Sequence, residues 1–235
     1  MPVNEYRVPF WRRRISRPLI TAVFRGLFRL LSEVEITGME NVPLGQAYVV
    51  ATNHVSTFEA PLVGGFWPEI CEALGAVEVW HRPGQSILAN LYGGIQVHRG
   101  EVDRQLFEAA LAVLRSGRPL MIAPEGGRSH KPGMRRAKAG IAIILEEAGV
   151  PVIPVGVVGT TDDFWQKASH FKHPRVEMHI GRPFRVPPLA GQGSDRREAR
   201  QRNADLVMAH IAGLLPEEYH GVYAGCAIAP AQTDQ

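Results

Sequence analysis

Apolar runs too short to be helices alternate along this chain with longer stretches of helical period. "AYVVAT" (47–52), "PLMIA" (119–123) and "PVIPVGVV" (151–158) are nearly continuous apolar runs, the pattern of strands buried on both faces. "AVEVWH" (76–81) alternates in the manner of a strand, and "VEMHIG" (176–181) adds one more. Between them, "VDRQLFEAALAVLRSG" (102–117) reads as a helix, with Leu106, Ala110, Val113 and Leu114 on one face and Gly117 as its stop. "AKAGIAIILEEAG" (137–149) and "SDRREARQRNADLVMAHIAGLL" (194–215) are also helical. Strands apolar throughout need helices on both sides, which predicts an α/β fold: one domain with a mixed, largely parallel sheet flanked by helices. A chain of 235 residues, 45% of them apolar, can supply that single core. In such sheets the ligand-binding groups gather where strands end, and here polar signatures follow the strands.

The N-terminal end differs in charge from the rest. Residues 1–29 hold seven arginines (Arg7, Arg12, Arg13, Arg14, Arg17, Arg25, Arg29) against Glu5 alone, a charge of +6, so a chain total of +3 leaves the remainder at −3. In "RPLITAVFRGLFRLLSEV" the residues Leu19, Ile20, Val23, Phe24, Leu27 and Leu31 recur at helical steps while Arg25 and Arg29 share another face. This predicts an amphipathic helix added to the α/β domain. Arg25 and Arg29 interrupt its apolar content, so it falls short of the roughly 20 apolar residues of a membrane span, and it lacks the pattern of a signal peptide. Arginines around an apolar stripe, with Phe10 and Trp11 nearby, suit a helix lying among anionic headgroups. A helix packed on its own domain with solvated arginines is the other reading. Nucleic acid is not expected as a partner, for no binding motif is present. The organisation expected is a basic membrane-surface helix over 1–33, a catalytic domain over 34–216 and a C-terminal tail over 217–235, with "AGCAIAPAQTDQ" frayed at its end. Cys71 and Cys226 are far apart and outside any ligand-spaced pattern, which points to a reducing compartment or a membrane face open to it.

Three clusters carry residues capable of chemistry: "NHVSTFE" (53–59), "GIQVHRG" (94–100) and "APEGGRSHKPG" (123–133). Five residues separate His54 from Glu59, about 500° of turn on a regular helix, so the two meet only if His54 lies in the turn after the strand and Glu59 in the first turn of a helix. "ST" at 56 and 57 can cap that helix, and a carboxylate is favoured in its first turn. A carboxylate on one imidazole nitrogen fixes the tautomer and stabilises the imidazolium, which would make the pair a general base. On spacing alone the plainer alternative, two polar residues that merely lie near each other, stays open. In "EGGRS" the glycines let backbone N–H groups approach an anion, and Arg128, like Arg99, offers a bidentate fork for phosphate, with Lys131, Arg135, Arg136 and Lys138 just downstream. A glycine turn with solvated cations is the plainer reading. The chain has neither a P-loop nor a Gly-x-Ser-x-Gly elbow, and His54, Glu59, His81, His98 and His130 lack the tight spacing of a metal site.

Taken in order, the clusters resemble the blocks of the glycerolipid acyltransferase family. "NHVSTFE" is similar to its Asn-His-x4-Asp block, with Glu59 where aspartate is usual; "GGIQVHR" keeps Gly94 and Arg99 of the second block, with Gln96 for an aromatic. "APEGGRS" keeps Pro124, Glu125, Gly126, Arg128 and Ser129 of the third, with Ala123 and Gly127 changed, "RRAKAG" echoes its continuation through Lys138 and Gly140, and "VPVIPVGV" is similar to the fourth. The resemblance covers about residues 35–185. It implies transfer of a fatty acyl group from acyl-CoA or acyl carrier protein to a hydroxyl of a lysophospholipid, 1-acyl-glycerol-3-phosphate first, in phospholipid biosynthesis. By the same resemblance His54 and Glu59 are catalytic, Arg99, Glu125, Gly126, Arg128 and Lys138 hold the phosphate end of the acceptor, and no metal or other cofactor is needed. A peripheral place on the cytoplasmic face of a membrane follows, because acceptor and product live in the bilayer. The departures at Glu59, Gln96 and Gly127 keep two alternatives in view: a catalytically weak lipid-binding protein of the same fold, and an acyl-thioester hydrolase.

Overall fold

The computed structural model describes residues 6–97 and 104–229. Its strands are β1 (Glu33–Thr37), β2 (Val49–Thr52), β3 (Glu72–Ala76), β4 (Ile95–Val97), β5 (Leu120–Ile122), β6 (Val152–Val158) and β7 (Arg175–Ile180). They form one sheet in the order β1-β7-β6-β2-β5-β3-β4, parallel throughout except between β6 and β7. The helices are α1 (Arg17–Leu31), α2 (Glu59–Phe66), α3 (Gln85–Tyr92), α4 (Arg104–Arg115), α5 (Gly140–Ala148), α6 (Phe164–Ser169) and α7 (Gly193–Ala212). The expected mixed, largely parallel α/β sheet is therefore the fold.

Central β2 shows why its sequence is apolar without alternation. Side chains of a strand point alternately to opposite faces. Val49 and Ala51 join a core with Val113, Ile141, Val207 and Ile211 of α4, α5 and α7, whereas Tyr48 and Val50 join a second core with Phe28, Leu62 and Phe164 of α1, α2 and α6. Each fully buried Val or Leu contributes about 1.5–3 kcal/mol. Both sides of the sheet are thus covered, and the place that matters chemically is the C-terminal end of β2 and β5, where the chain turns out of the sheet.

α1 is amphipathic as its period predicts, but it divides the expected apolar stripe between two surroundings. Ile20 and Phe28 are buried in the domain, while Ile15, Leu19, Val23, Leu27 and Leu30 stand exposed. Arg25 donates from Nε to the Gly65 carbonyl at 2.8 Å, and the Arg25 and Arg29 guanidinium groups lie over the Phe66 ring. Arg17 is withdrawn from solvent altogether: it is 1% exposed and forks onto Glu72 of β3 at 2.6 and 2.7 Å, with Nε donating to the Tyr92 carbonyl at 2.7 Å. Tyr6 donates to the same Glu72 carboxylate at 2.5 Å; burial and that carboxylate push its hydroxyl up to about 12. A buried charge is tolerated only when paired, and this network fastens the N-terminal helix to the sheet.

The third strand lies earlier than the alternation of 76–81 suggests. β3 is Glu72–Ala76, and Val77–His81 forms a 3-10 turn. This turn folds Trp80 back over Gly75, where a Cβ would come 3.0 Å from the indole, and the indole N–H donates to Asn90. Glu72 concealed the strand, since an acid in a buried strand makes sense only once Arg17 is known to face it. β1, β4, α3 and α6 are short and carry no clear period, and they too were not foreseen. The first residues of the expected 102–117 helix lie outside the described residues. Near the other terminus Tyr219 and Tyr223 are buried; the Tyr223 hydroxyl accepts from the Ala137 N–H at 2.9 Å and donates to Asp205 at 2.8 Å, so the start of the expected tail packs on the domain.

Candidate active site

Where β2 ends, Asn53 continues its pairing by side chain. The amide nitrogen donates to the Val157 carbonyl at 2.9 Å and the amide oxygen accepts from the Val157 N–H at 2.8 Å, which extends the β2–β6 ladder past Thr52. The next residue, His54, is held through its backbone by the loop after β5. Its N–H donates to Glu125 Oε1 at 2.8 Å and its carbonyl accepts from the Ser129 N–H, also at 2.8 Å. Backbone fixed on both sides leaves only the imidazole to be oriented.

Glu59 does this. His54 Nδ1 lies 3.0 Å from Glu59 Oε2, and an ionised carboxylate only accepts, so the proton sits on Nδ1 and Nε2 keeps its lone pair. The imidazole is 23% exposed and the carboxylate 1%. Glu59 is the first residue of α2 and its other oxygen is fully occupied: Oε1 accepts from the Ser56 N–H at 2.9 Å and from the Thr160 hydroxyl at 2.6 Å. The Ser56 hydroxyl in turn accepts from the Phe58 N–H at 3.1 Å. Ser-Thr-Phe-Glu at 56–59 is thus a turn closed reciprocally by side chains onto backbone, leading into α2. One carboxylate thus meets the Ser56 N–H, the Thr160 hydroxyl and the imidazole together.

Of the residues expected at the phosphate end, the described ones gather around this pair in different ways. Arg128 lines the same cavity as His54. Gly126 turns at φ +66°, and the Lys138 side chain packs across it, 3.1 Å from where a Cβ would stand. The Lys138 N–H donates to the Pro124 carbonyl at 2.8 Å. Glu125 is placed otherwise: 2% exposed, its two oxygens accept from the backbone N–H groups of His54 and of Arg135, at 2.8 and 2.7 Å. Burial raises its carboxyl above the ordinary range, and those two donors offset only part of the rise. A carboxylate so occupied braces the loop and has no affinity for an anion. Arg99, with His98, lies outside the described residues. No three His, Cys, Asp or Glu among the described residues cluster as metal ligands.

Beside His54 opens a cavity of about 490 Å³. Phe24 and Leu27 of α1, Pro61 of α2, Leu88 of α3, Met121 of β5 and Trp165 of α6 are among the side chains that give it a mainly apolar wall. One contributor escaped sequence reasoning. Ser56 was within reach as part of the "ST" turn before the helix, but Thr160 lies 101 residues from Glu59 and no local signal marks it.

Residues 33–158, from the start of β1 to the end of β6, match the family model described as Acyltransferase. The chain belongs to the acyltransferase family. It is 26% identical over 164 residues to the 1-acyl-sn-glycerol-3-phosphate acyltransferase alpha of Mus musculus, a match covering 68% of this chain and 56% of that protein. The chain therefore spans little more than half the length of that relative. It is 29% identical over 186 residues to the lyso-ornithine lipid O-acyltransferase of Pseudomonas aeruginosa, covering 74% of this chain and 71% of that one. Among solved structures, the 1-acyl-sn-glycerophosphate (LPA) acyltransferase PlsC of Thermotoga maritima superposes with a TM-score of 0.59 at 22% identity, over 83% of this chain and 79% of that chain. At that identity the likeness shows a shared fold. The acyltransferase match contains His54, Glu59 and the 123–131 loop in full.

Proposed function

We propose that this acyltransferase-family chain moves a fatty acyl group from an acyl thioester, on coenzyme A or acyl carrier protein, to a hydroxyl of a lysophospholipid, with 1-acyl-glycerol-3-phosphate as first acceptor. The observation that carries this reading is the buried Glu59 carboxylate on His54 Nδ1, at the wall of an apolar cavity of about 490 Å³ that Arg128 also lines. The names of the mouse and Pseudomonas relatives support a lysolipid acceptor. The second of them makes a lyso-ornithine lipid the next acceptor to try.

In this mechanism His54 Nε2 takes the proton of the acceptor hydroxyl as its oxygen attacks the thioester carbon. Glu59 balances the imidazolium that forms. The tetrahedral intermediate collapses with cleavage of the C–S bond, and the leaving thiolate takes the proton back from His54, so the enzyme returns to its starting state. The acyl chain occupies the apolar cavity, and Arg128, Lys138 and the Gly126 turn, with Arg99, receive the phosphate of the acceptor. Glu125 serves the site by bracing His54 and Arg135. Fixing the two dilute reactants against each other supplies much of the rate. No described helix is long and apolar enough to cross a membrane. Instead, the exposed row Ile15, Leu19, Val23, Leu27 and Leu30, next to Arg13 and Arg14, lays α1 on the bilayer from which the acceptor comes. The cytoplasmic face is the side on which coenzyme A and carrier protein are found.

Thiol release from palmitoyl-CoA by the purified full chain, with and without 1-acyl-glycerol-3-phosphate or lyso-ornithine lipid, tests this. Acceptor-dependent release that His54→Ala abolishes is the expected result. Release at the same rate without acceptor makes the protein a thioester hydrolase, and binding of lysolipid vesicles with no release at all makes it a lipid-binding protein.

A further inference from the structure

We propose that Thr160 is a positioning residue for the base, holding Glu59 in the one rotamer that faces His54; this rests on the reading of His54 as the base. Glu59 is reached from two directions. The turn before α2 supplies the Ser56 N–H, and the loop after β6 supplies the Thr160 hydroxyl, at 2.6 Å the shortest contact the carboxylate makes. Thr160 is 1% exposed, so the hydroxyl does not exchange this partner for solvent. A buried donor to an ionised acceptor is roughly twice as strong as a neutral pair.

The loop that carries Thr160 is itself aimed. Val157 is clamped by the Asn53 amide, and the Gly159 N–H donates to the Tyr219 hydroxyl at 3.0 Å. Gly159 turns at φ +85°, and a Cβ there would come 2.1 Å from the Arg175 carbonyl oxygen, so only glycine fits this turn against β7. Asn53 therefore sets both partners of the contact. It fixes the strand end before His54 and the strand end before Thr160, which helps bring Glu59 and Thr160 together although they are 101 apart in sequence. With Oε1 tied to Thr160 and Ser56, only Oε2 is left to hold the imidazole. Without the Thr160 hydroxyl, Oε1 keeps only the Ser56 N–H and the longer 3.3 Å contact from the Ser56 hydroxyl, both on its own side of the site, and the carboxylate can rotate away from Nδ1. A displacement of about 1 Å at a reacting group can cost about 10²-fold in rate.

The test compares Thr160→Val, which keeps the shape and removes the hydroxyl, with Thr160→Ser, which restores it. With palmitoyl-CoA and 1-acyl-glycerol-3-phosphate as probes, Thr160→Val is expected to lose about 10- to 100-fold in kcat with KM for both substrates within about twofold, and Thr160→Ser to stay within about threefold of the parent. Unchanged kcat in the folded Val variant, or equal losses in Val and Ser, overturns the proposal. A second readout needs no turnover: the low-field proton resonance of His54 Nδ1–H, identified by its absence in His54→Ala, should survive Thr160→Ser and broaden or vanish in Thr160→Val. Should it persist unaltered in Thr160→Val, the proposal falls by this route too. Full activity in His54→Ala is a different result, since that removes the base and leaves the contact between Thr160 and Glu59 untouched.

Discussion

Replacing Glu59 by glutamine alters one atom in the centre of the site, and its consequences can be worked from the hydrogen bonds. The glutamine oxygen can take the place of Oε1 and still accept from the Ser56 N–H and the Thr160 hydroxyl, so the turn into α2 survives. Its NH2 group then stands where Oε2 stood, 3.0 Å from His54 Nδ1. Two donors cannot share that contact. The imidazole must move its proton to Nε2, which leaves Nε2 unable to accept the proton of the acceptor. A positioned general base is worth about 10²–10⁴ in rate, and the corresponding amide substitution in a serine-protease triad costs about 10⁴ through the wrong tautomer. The expected loss in kcat is about 10³–10⁴, or about 4–5.5 kcal/mol at 1.36 kcal/mol per tenfold. Glu59→Asp keeps the charge but withdraws it by one methylene, so its loss should be smaller than that of the amide, about 10- to 100-fold. Thiol release measures the rate, and thermal unfolding checks that the glutamine variant is folded. A folded glutamine variant within threefold of the parent refutes the role of the carboxylate.

Other parts of the structure give equally direct expectations. Removing one partner of the buried Arg17–Glu72 pair strands the other, so Glu72→Ala should lower stability by about 3–5 kcal/mol, while the double change Arg17→Met with Glu72→Met should recover most of it in urea unfolding; equal losses would show that the charges themselves are needed. Glu125→Gln faces the Arg135 N–H with a donor and should cost about 1–3 kcal/mol. Because burial raises the Glu125 carboxyl, that group's favourable contribution is full below the ordinary carboxylate range and is lost as pH rises through the raised folded value. The deficit of Glu125→Gln should therefore shrink with rising pH, and a deficit that grows would contradict this account. Vesicle flotation with anionic lipid should weaken with added salt and in Arg13→Gln with Arg14→Gln, since the attraction is screened over roughly 8–10 Å. Leu19→Asp, at a side chain 62% exposed, should abolish binding without loss of fold, and retained binding would remove α1 from the interface.

The parts of this molecule that the sequence displays are those whose causes are local. β2, β5 and β6 are buried on both faces and so read as apolar runs, and α4, α5 and α7 each set one face against the sheet. The contact of His54 with Glu59 was conceivable because strand end, turn and first helical residue lie within seven residues, but spacing left it open and the resemblance to the family's first block made it the expected pair. What stayed hidden depends on partners distant in sequence. Glu72 makes no sense in a strand until Arg17, 55 residues away, is seen to fork onto it. Glu125 was grouped with the phosphate ligands by resemblance to the family's third block, yet its burial and its two backbone donors make it a brace. The same distinction bears on Glu59. Judged by family pattern, a glutamate for aspartate reads as a fault in the motif, yet in the folded chain this side chain serves both sides of the site at once: one oxygen accepts from the Ser56 N–H and the Thr160 hydroxyl, and the other faces His54 Nδ1. The contact that completes the arrangement comes from a threonine 101 residues on, which no local pattern could have joined to the motif.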